Sequence, residues 1–394
     1  MTKKWVNIAD VLFFQEGPGV RNTQYTTSGV KLLNVANLVD GKVDLSKSDR
    51  YISEEEAYGK YRHFLCDDGD FVIASSGIKV EYIDKKMGFV DASMLPLCMN
   101  TSTIRFKVLD ENQLRIRYFM YYLKSKHFKE QLTKQITGSA QLNYGPSHLK
   151  KMIMPLIDIT VQDEIISCMD KLQSIIETRQ RELIELDRLM KARFVELFGD
   201  PRSNPFGFEK KRLKDTCKVI TGNTPSRAIA EYYGDYIEWI KTDNIVSGIL
   251  NPTQATESLS EKGMNVGRTV EKDSILMACI AGSIASIGRV CITDRTVAFN
   301  QQINAVVPEQ YNILFLYVLF QMSKDYLVED INMALKGILS KSKLEEKEFI
   351  IPPMDLQEQF SDFVKQVNKS KVAVQKALDE TQILFDSLMQ KYFG

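Results

Sequence analysis

Between Gln162 and Gly199 apolar residues recur at alternating steps of four and three, and the same rhythm returns between Gln357 and Gly394, displaced by 195 positions. The first stripe runs Ile165, Met169, Leu172, Ile176, Arg179, Leu183, Leu186, Met190, Arg193 and Leu197. The second runs Phe360, Val364, Val367, Lys371, Val374, Leu378, Thr381, Phe385, Leu388 and Tyr392. Eight of the ten positions are apolar in each copy, so the period survives although few identities do. A 4-3 spacing is the seam of a coiled coil, because residues three and four apart share one helix face. Each stripe lasts about nine turns, longer than a single globule usually covers. The pattern therefore predicts two long helices that pack on each other as an antiparallel coiled coil, each closing one half of a duplicated chain at Phe198-Gly199 or Phe393-Gly394.

The flanking residues support the duplication. Thr160 with Asp163, and Asp355 with Glu358, fit an N-cap followed by an acceptor three positions later, so the helices are expected to begin near 160 and 355. Glu177 with Arg181 and Asp187 with Lys191 are acid-then-base pairs four apart, suited to an exposed flank. Gly199-Asp200-Pro201 and Asn204-Pro205-Phe206-Gly207 supply breakers and mark a linker. Upstream, Ile8-Ala9-Asp10 and Gly17 are echoed by Leu213-Lys214-Asp215 and Gly222, and Leu33, Asn37 and Gly41 by Ile240, Asn244 and Gly248. The offset drifts, as insertions in loops of a shared scaffold would make it. Asp70–Ser75, Thr103–Val108, Ser274–Cys279 and Asn304–Val307 read as short strands, and Arg117–Gln135 and Asn312–Met333 as helices. The expected fold class is α+β, with two similar mixed α/β domains at 1–155 and 200–353 and spacer helices at 156–199 and 354–394.

Composition narrows the chemistry. The 51 basic and 51 acidic residues cancel, which is unusual for a nucleic-acid binder unless charge is segregated between elements. The six cysteines include no Cys-x-x-Cys pair and there are three histidines, so disulfide and zinc frameworks are not expected. No apolar run has the length of a signal or membrane segment, which points to a cytoplasmic protein with no membrane partner. No phosphate-binding Gly-x-x-x-x-Gly-Lys-Ser/Thr loop occurs. Asn251-Pro252-Thr253-Gln254 and Asn204-Pro205-Phe206-Gly207 lack the second proline of an amino-methyltransferase loop and are more simply turns. The small-residue run Cys279–Gly288 reads as a strand and tight turn rather than a cofactor cradle. His63, His127 and His148 are far apart with no acid at a repeated spacing. No catalysis and no cofactor are expected of the chain itself.

Three stretches carry a resemblance to a known family. Ile220-Thr221-Gly222-Asn223-Thr224-Pro225-Ser226-Arg227, with Glu231-Tyr232-Tyr233-Gly234 and Trp239–Ile245, resembles the opening of a target recognition domain. Ile350-Ile351-Pro352-Pro353-Met354-Asp355 resembles the entry to a conserved spacer helix, and Leu197-Phe198-Gly199-Asp200-Pro201 its close. Together with the repeat, they make the chain resemble the DNA-specificity (S) subunit of a Type I restriction-modification system over nearly its whole length. The first half departs from the pattern, with Glu16–Arg21 in place of Gly-x-Thr-Pro and Pro155–Gln162 in place of the double proline.

The resemblance implies that double-stranded DNA is the ligand. It also implies that two methyltransferase (M) subunits and restriction (R) subunits are the partners, carrying S-adenosylmethionine, ATP and Mg between them. From Ile165 to Leu197 a helix rises roughly 48 Å at about 1.5 Å per residue, more than one turn of B-DNA at roughly 34–36 Å. A bipartite target with an unread gap is therefore expected. Arginine suits guanine, Asn and Gln suit adenine, and lysine and hydroxyl groups suit phosphate. On that chemistry the candidate contacts in the first half are Arg21, Asn22, Lys31, Ser76, Lys79, Ser139, Gln141 and Asn143. Those in the second are Thr224, Ser226, Arg227, Lys241, Ser283, Arg289, Lys336 and Ser340. For each alone, a solvated loop residue is the plainer reading. Two rivals compete: the recognition part of a fused restriction-methylation enzyme, and a coiled-coil adaptor whose globules bind protein, which the neutral charge favours.

Overall fold

The computed structural model describes residues 3–136, 143–331 and 337–394. They form two compact units, Met1–Glu177 with Leu378–Gly394, and Thr178–Ala377.

In the first unit a four-stranded sheet is built from β1 (Leu12–Glu16), β2 (Phe71–Ala74), β3 (Met87–Phe89) and β4 (Thr103–Val108), in the order β1-β4-β2-β3. All of its pairings are antiparallel. A second sheet sets Val30–Leu33 parallel to Leu97–Met99, with Tyr51–Ile52 on the other edge. Lys4–Asn7 pairs with Ile153–Leu156 and returns the chain to the start of the long helix α1 (Ile159–Phe198).

The second unit repeats this plan. Strands β5 (Cys217–Thr221), β6 (Ile275–Ala278), β7 (Val290–Ile292) and β8 (Ile303–Pro308) lie in the order β5-β8-β6-β7. Ile237–Ile240 runs parallel to Val297–Phe299, and Lys210–Arg212 pairs with Glu348–Ile350 ahead of the long helix α2 (Met354–Phe393). β6 is buried along its whole length because it is covered on both sides. Ile275 and Met277 pack with the helical layer, and Leu276 and Ala278 with the second sheet. A period of two thus sends alternate residues of one apolar run into two different cores.

The shorter helices differ from the sequence expectation in one way. Each expected helix is two, Ile116–Lys124 then Lys126–Gln135, and Ile313–Met322 then Lys324–Val328. Ser125 is extended and its hydroxyl accepts the Phe128 amide at 3.2 Å, so it caps a new helix instead of continuing the old one. The last two residues of the expected second helix, 332–333, lie outside the described residues.

The long helices begin at Ile159 and Met354. The cap of the first is Asp158 and not Thr160: its carboxylate accepts the Thr160 amide at 2.9 Å and also takes the Thr160 hydroxyl. These bonds hold the Asp158 carboxyl below the usual carboxylate range. Asp355 lies inside the first turn of α2, where it faces the positive end of the helix.

Within the first unit Ile165, Met169, Leu172 and Ile176 of α1 share one core with Phe385, Met389 and Phe393 of α2. Within the second, Met190, Phe194 and Phe198 share a core with Phe360, Val364 and Val367. There Asp187 meets Lys371 at 2.7 Å while Phe198 meets Phe360 with ring centroids 5.5 Å apart. Later residues of one helix therefore face earlier residues of the other, an antiparallel pair. Leu183, Leu186, Val374, Leu378 and Arg179 are half-buried. Over the last two turns the buried stripe passes through Phe194 and Phe198, and Met389 and Phe393, with Leu197, Leu388 and Tyr392 half-buried beside it. Consecutive four-residue steps rotate the stripe, since 3.6 residues per turn outruns a strict heptad. The rotation delivers Phe393 against Tyr118 and Phe194 against Phe315.

Candidate nucleic-acid interface

The loops that carry Arg21 and Asn22 in one lobe and Thr224, Ser226 and Arg227 in the other leave at the same point of the scaffold, whereas Lys31 lies within the strand Val30–Leu33. Gly17 follows β1, and its amide donates to Thr103 O at 2.9 Å; Gly222 follows β5, and its amide donates to Ile303 O at 3.0 Å. A Cβ on Gly17 would stand 2.1 Å from Asn100 O, and on Gly222 2.2 Å from Asn300 O. The backbones touch there, so no side chain fits. Asn100 and Asn300 are buried, and their amides bind Leu33 O and Ile240 O, which ties the second sheet to the same junction. Asn37 and Asn244 repeat as well, their side-chain oxygens accepting the Asn34 and Lys241 amides at 2.9 and 3.0 Å.

In the second lobe the turn after Gly222 is fastened by aromatic residues. The Tyr233 hydroxyl donates to Pro225 O at 2.6 Å and the Trp239 indole N–H to Asn223 O at 3.3 Å. Thr224 donates to Gln301 and Ser226 is exposed. The Arg227 guanidinium lies 4.4 Å from the Tyr233 ring centroid and 5.2 Å from that of Trp239, and one Nη bonds Glu257 at 2.7 Å. Lys241 binds the other oxygen of Glu257 and lies 5.1 Å from the Trp239 ring. Hydrogen bonds from Lys241 first, then Arg227, keep the Glu257 carboxyl below the ordinary glutamate range. Ser283 is exposed and meets Ser286 at 3.1 Å. Arg289 is half-buried and donates to Ser286 O and Thr242 O. Ser340 caps Lys341–Glu346, accepting the Lys343 amide at 3.3 Å, so its hydroxyl has a structural task.

In the first lobe Arg21 and Asn22 are exposed at a 3-10 turn whose Gln24 side chain accepts the Arg21 amide. Lys31 pairs with Asp49 at 3.0 Å, which raises its pKa, and lies 5.3 Å from the Tyr51 ring. Ser76 bonds Ser102 at 2.6 Å and forms a bridge to Asn143, so those two candidates are brought together. Lys79 is exposed in the β2–β3 loop. Tyr82 and Lys85 share its exposure, and half-buried Lys86 is close by. Among the described residues none of these three lysines is ion-paired. Ser139, Gln141 and Lys336 lie outside the described residues.

Sequence reasoning missed Glu257 and Asp49, the acids that engage the candidate cations, because an acid 16 or more positions away gives no local signal. It also missed Lys85, Lys86 and Tyr82 as a basic-aromatic group, although the doublet beside an aromatic residue was there to see.

The two lobes are two copies of one α+β scaffold with different loops. The chain belongs to the Type I restriction modification DNA specificity domain family, whose model matches residues 18–188 and 205–381. It is 33% identical over 146 residues to the Type I restriction enzyme HindI specificity subunit of Haemophilus influenzae, covering 36% of this chain and 31% of that one. It is 23% identical over 328 residues to the MjaIX specificity subunit of Methanocaldococcus jannaschii, covering 77% of this chain and 74% of that one. In fold it is similar to a crystal structure of the Type-I restriction-modification system S subunit from M. genitalium. That likeness has a TM-score of 0.59 at 15% identity and covers 100% of this chain and 96% of that one. A chain from a structure on complex assembly and conformational transition of the type I R-M system gives a TM-score of 0.56 at 15% identity, covering 99% and 97%. Among the described residues no helix is long and apolar enough to cross a membrane.

Proposed function

We propose that this chain is the DNA-reading subunit of a Type I restriction-modification complex and recognises a bipartite target with an unread spacer. In this reading residues 1–155 address one half-site and residues 200–353 the other, while 156–199 and 354–394 serve as spacer helices. The observation that carries it is the repeat: one strand order, β1-β4-β2-β3 and β5-β8-β6-β7, holds dissimilar loops at equivalent exits, and both copies match the specificity-domain family. A common scaffold with divergent loops is how one architecture addresses two different ligands. A tandem repeat also offers two similar docking faces, suited to two methyltransferase subunits. Methyl transfer, and the S-adenosylmethionine, ATP and Mg it and cleavage need, belong to the methyltransferase and restriction subunits, and the chain works in the cytoplasm with them.

The test is methylome sequencing of a host expressing this chain with its methyltransferase partner. A split motif is expected, and exchanging residues 205–353 for those of a relative should alter one half of it. A change in both halves, or an unsplit motif, refutes the reading.

A further inference from the structure

The second lobe holds its arginine in a way that points to a particular base. Arg227 is half-exposed, with a side-chain exposure of 56%, yet it is not a free arm. Its guanidinium rests over Tyr233 and Trp239, and both rings are hydrogen-bonded to the backbone of the turn that carries Arg227 itself. Glu257 takes one N–H at 2.7 Å and is in turn held by Lys241. Ring contacts and carboxylate together orient the planar fork and leave its remaining N–H groups for an outside acceptor.

Two considerations favour a base edge over a phosphate. Glu257 offsets one of the two positive charges and sets a carboxylate beside the fork, where it repels a phosphate and not a neutral base edge, whereas Lys79, Lys85 and Lys86 in the first lobe have no acid partner among the described residues. A planar, two-pronged donor can bridge two phosphate oxygens as well as a base edge, but only at a base does a fixed orientation carry sequence information. On the O6 and N7 of guanine it sets both hydrogen bonds at once, with its conformational entropy already lost before binding.

We infer that Arg227 reads a guanine in the half-site addressed by the second lobe, with Glu257 as its positioning residue. The inference rests on the DNA-reading function proposed above. Methylomes are compared for hosts expressing the methyltransferase partner with the wild-type chain, Arg227→Ala, Arg227→Lys or Glu257→Gln. In the wild type, the half that changes when residues 205–353 are exchanged should contain a G·C pair. Arg227→Ala should lower discrimination at that pair by roughly 5- to 150-fold, the value of one bidentate contact, and leave the other half intact. Arg227→Lys should fail at the same position because an ammonium has no fork, and Glu257→Gln should relax it less.

Unchanged specificity in Arg227→Ala overturns the inference. So does a uniform fall in methylation at all sites with no loss of discrimination, the signature of a phosphate contact. If Arg227→Ala abolishes methylation, Arg227→Lys and Glu257→Gln decide, and intact specificity in both overturns it. A wild-type split motif with no G·C pair in that half overturns the inference alone, whereas an unsplit wild-type motif overturns the function on which it rests.

Discussion

Gln162 and Gln357 occupy the same place in the two copies and perform the same task, which makes their removal a measurable test of how the lobes hold their long helices. Gln162 is fully buried; its Oε1 accepts the Arg115 amide at 2.9 Å and its Nε2 donates to Gln113 O at 2.8 Å and Ile157 O at 2.9 Å. Gln357 accepts the Asn312 amide at 2.9 Å and donates to Pro352 O at 2.8 Å. Arg115 and Asn312 are the residues from which the helices Ile116–Lys124 and Ile313–Met322 start, so each glutamine joins a long helix to a helix of its own lobe. Leucine at either position keeps the volume and removes every bond. Gln162→Leu would strand three backbone groups and Gln357→Leu two, one of each set fully buried and the rest partly so, at about 1 kcal/mol each at the low end of the range. Apolar burial of leucine offsets about 1 kcal/mol. The net losses are roughly 2 kcal/mol for Gln162→Leu and roughly 1 kcal/mol for Gln357→Leu.

The chain suits the measurement, since its two tryptophans, Trp5 and Trp239, fall one in each unit. In Trp239→Phe and Trp5→Phe backgrounds, urea unfolding followed by fluorescence reports each lobe separately, with a linear extrapolation for each transition. Gln162→Leu should lower the transition seen by Trp5, and Gln357→Leu that seen by Trp239. A shift below about 0.5 kcal/mol, within the range of neutral surface changes, or equal shifts in both transitions, would refute the reasoning.

Gly222→Ala places a methyl 2.2 Å from Asn300 O, so the junction must open and stability should fall by about 1–3 kcal/mol; an unchanged urea midpoint for Trp239 argues against close contact there. Replacing Lys79, Lys85 and Lys86 by alanine should weaken DNA binding for every sequence alike and flatten the salt dependence by about 0.9 per lost phosphate contact; titrations at several salt concentrations with cognate and scrambled duplexes check it. Burial pushes the thiols of Cys66, Cys98, Cys217, Cys279 and Cys291 up to about 12. The thiolate is the reactive form, so native protein should react with a disulfide reagent at half-buried Cys168 alone and at all six cysteines once unfolded.

How much of this was legible in the chain depended on distance along it. The 4-3 rhythm, the breakers at Gly199-Asp200-Pro201 and the echo of Gly17 in Gly222 are local or periodic signals, and they show the long helices and the duplicated halves directly. The serine break at Ser125 was less visible, because Arg117–Gln135 keeps a helical composition and only the competition between a side-chain cap and the next backbone bond splits it. The candidate site was legible as a set of loops and not as a set of contacts. Arg227 and Lys241 look like free cations in sequence, whereas folding puts Glu257 between them, and Lys31 meets Asp49 in the same manner.

The duplication, the two long helices and their apolar stripe were determined by the sequence alone, since periodicity is carried by neighbours a few residues apart. Tertiary structure decided which half of each helix joins which unit, where the stripe turns from its partner helix onto Tyr118 or Phe315, and which cations stay unpaired. The reason is physical: those outcomes are set by residues up to 275 positions apart, Tyr118 and Phe393 among them, whose meeting no local pattern encodes.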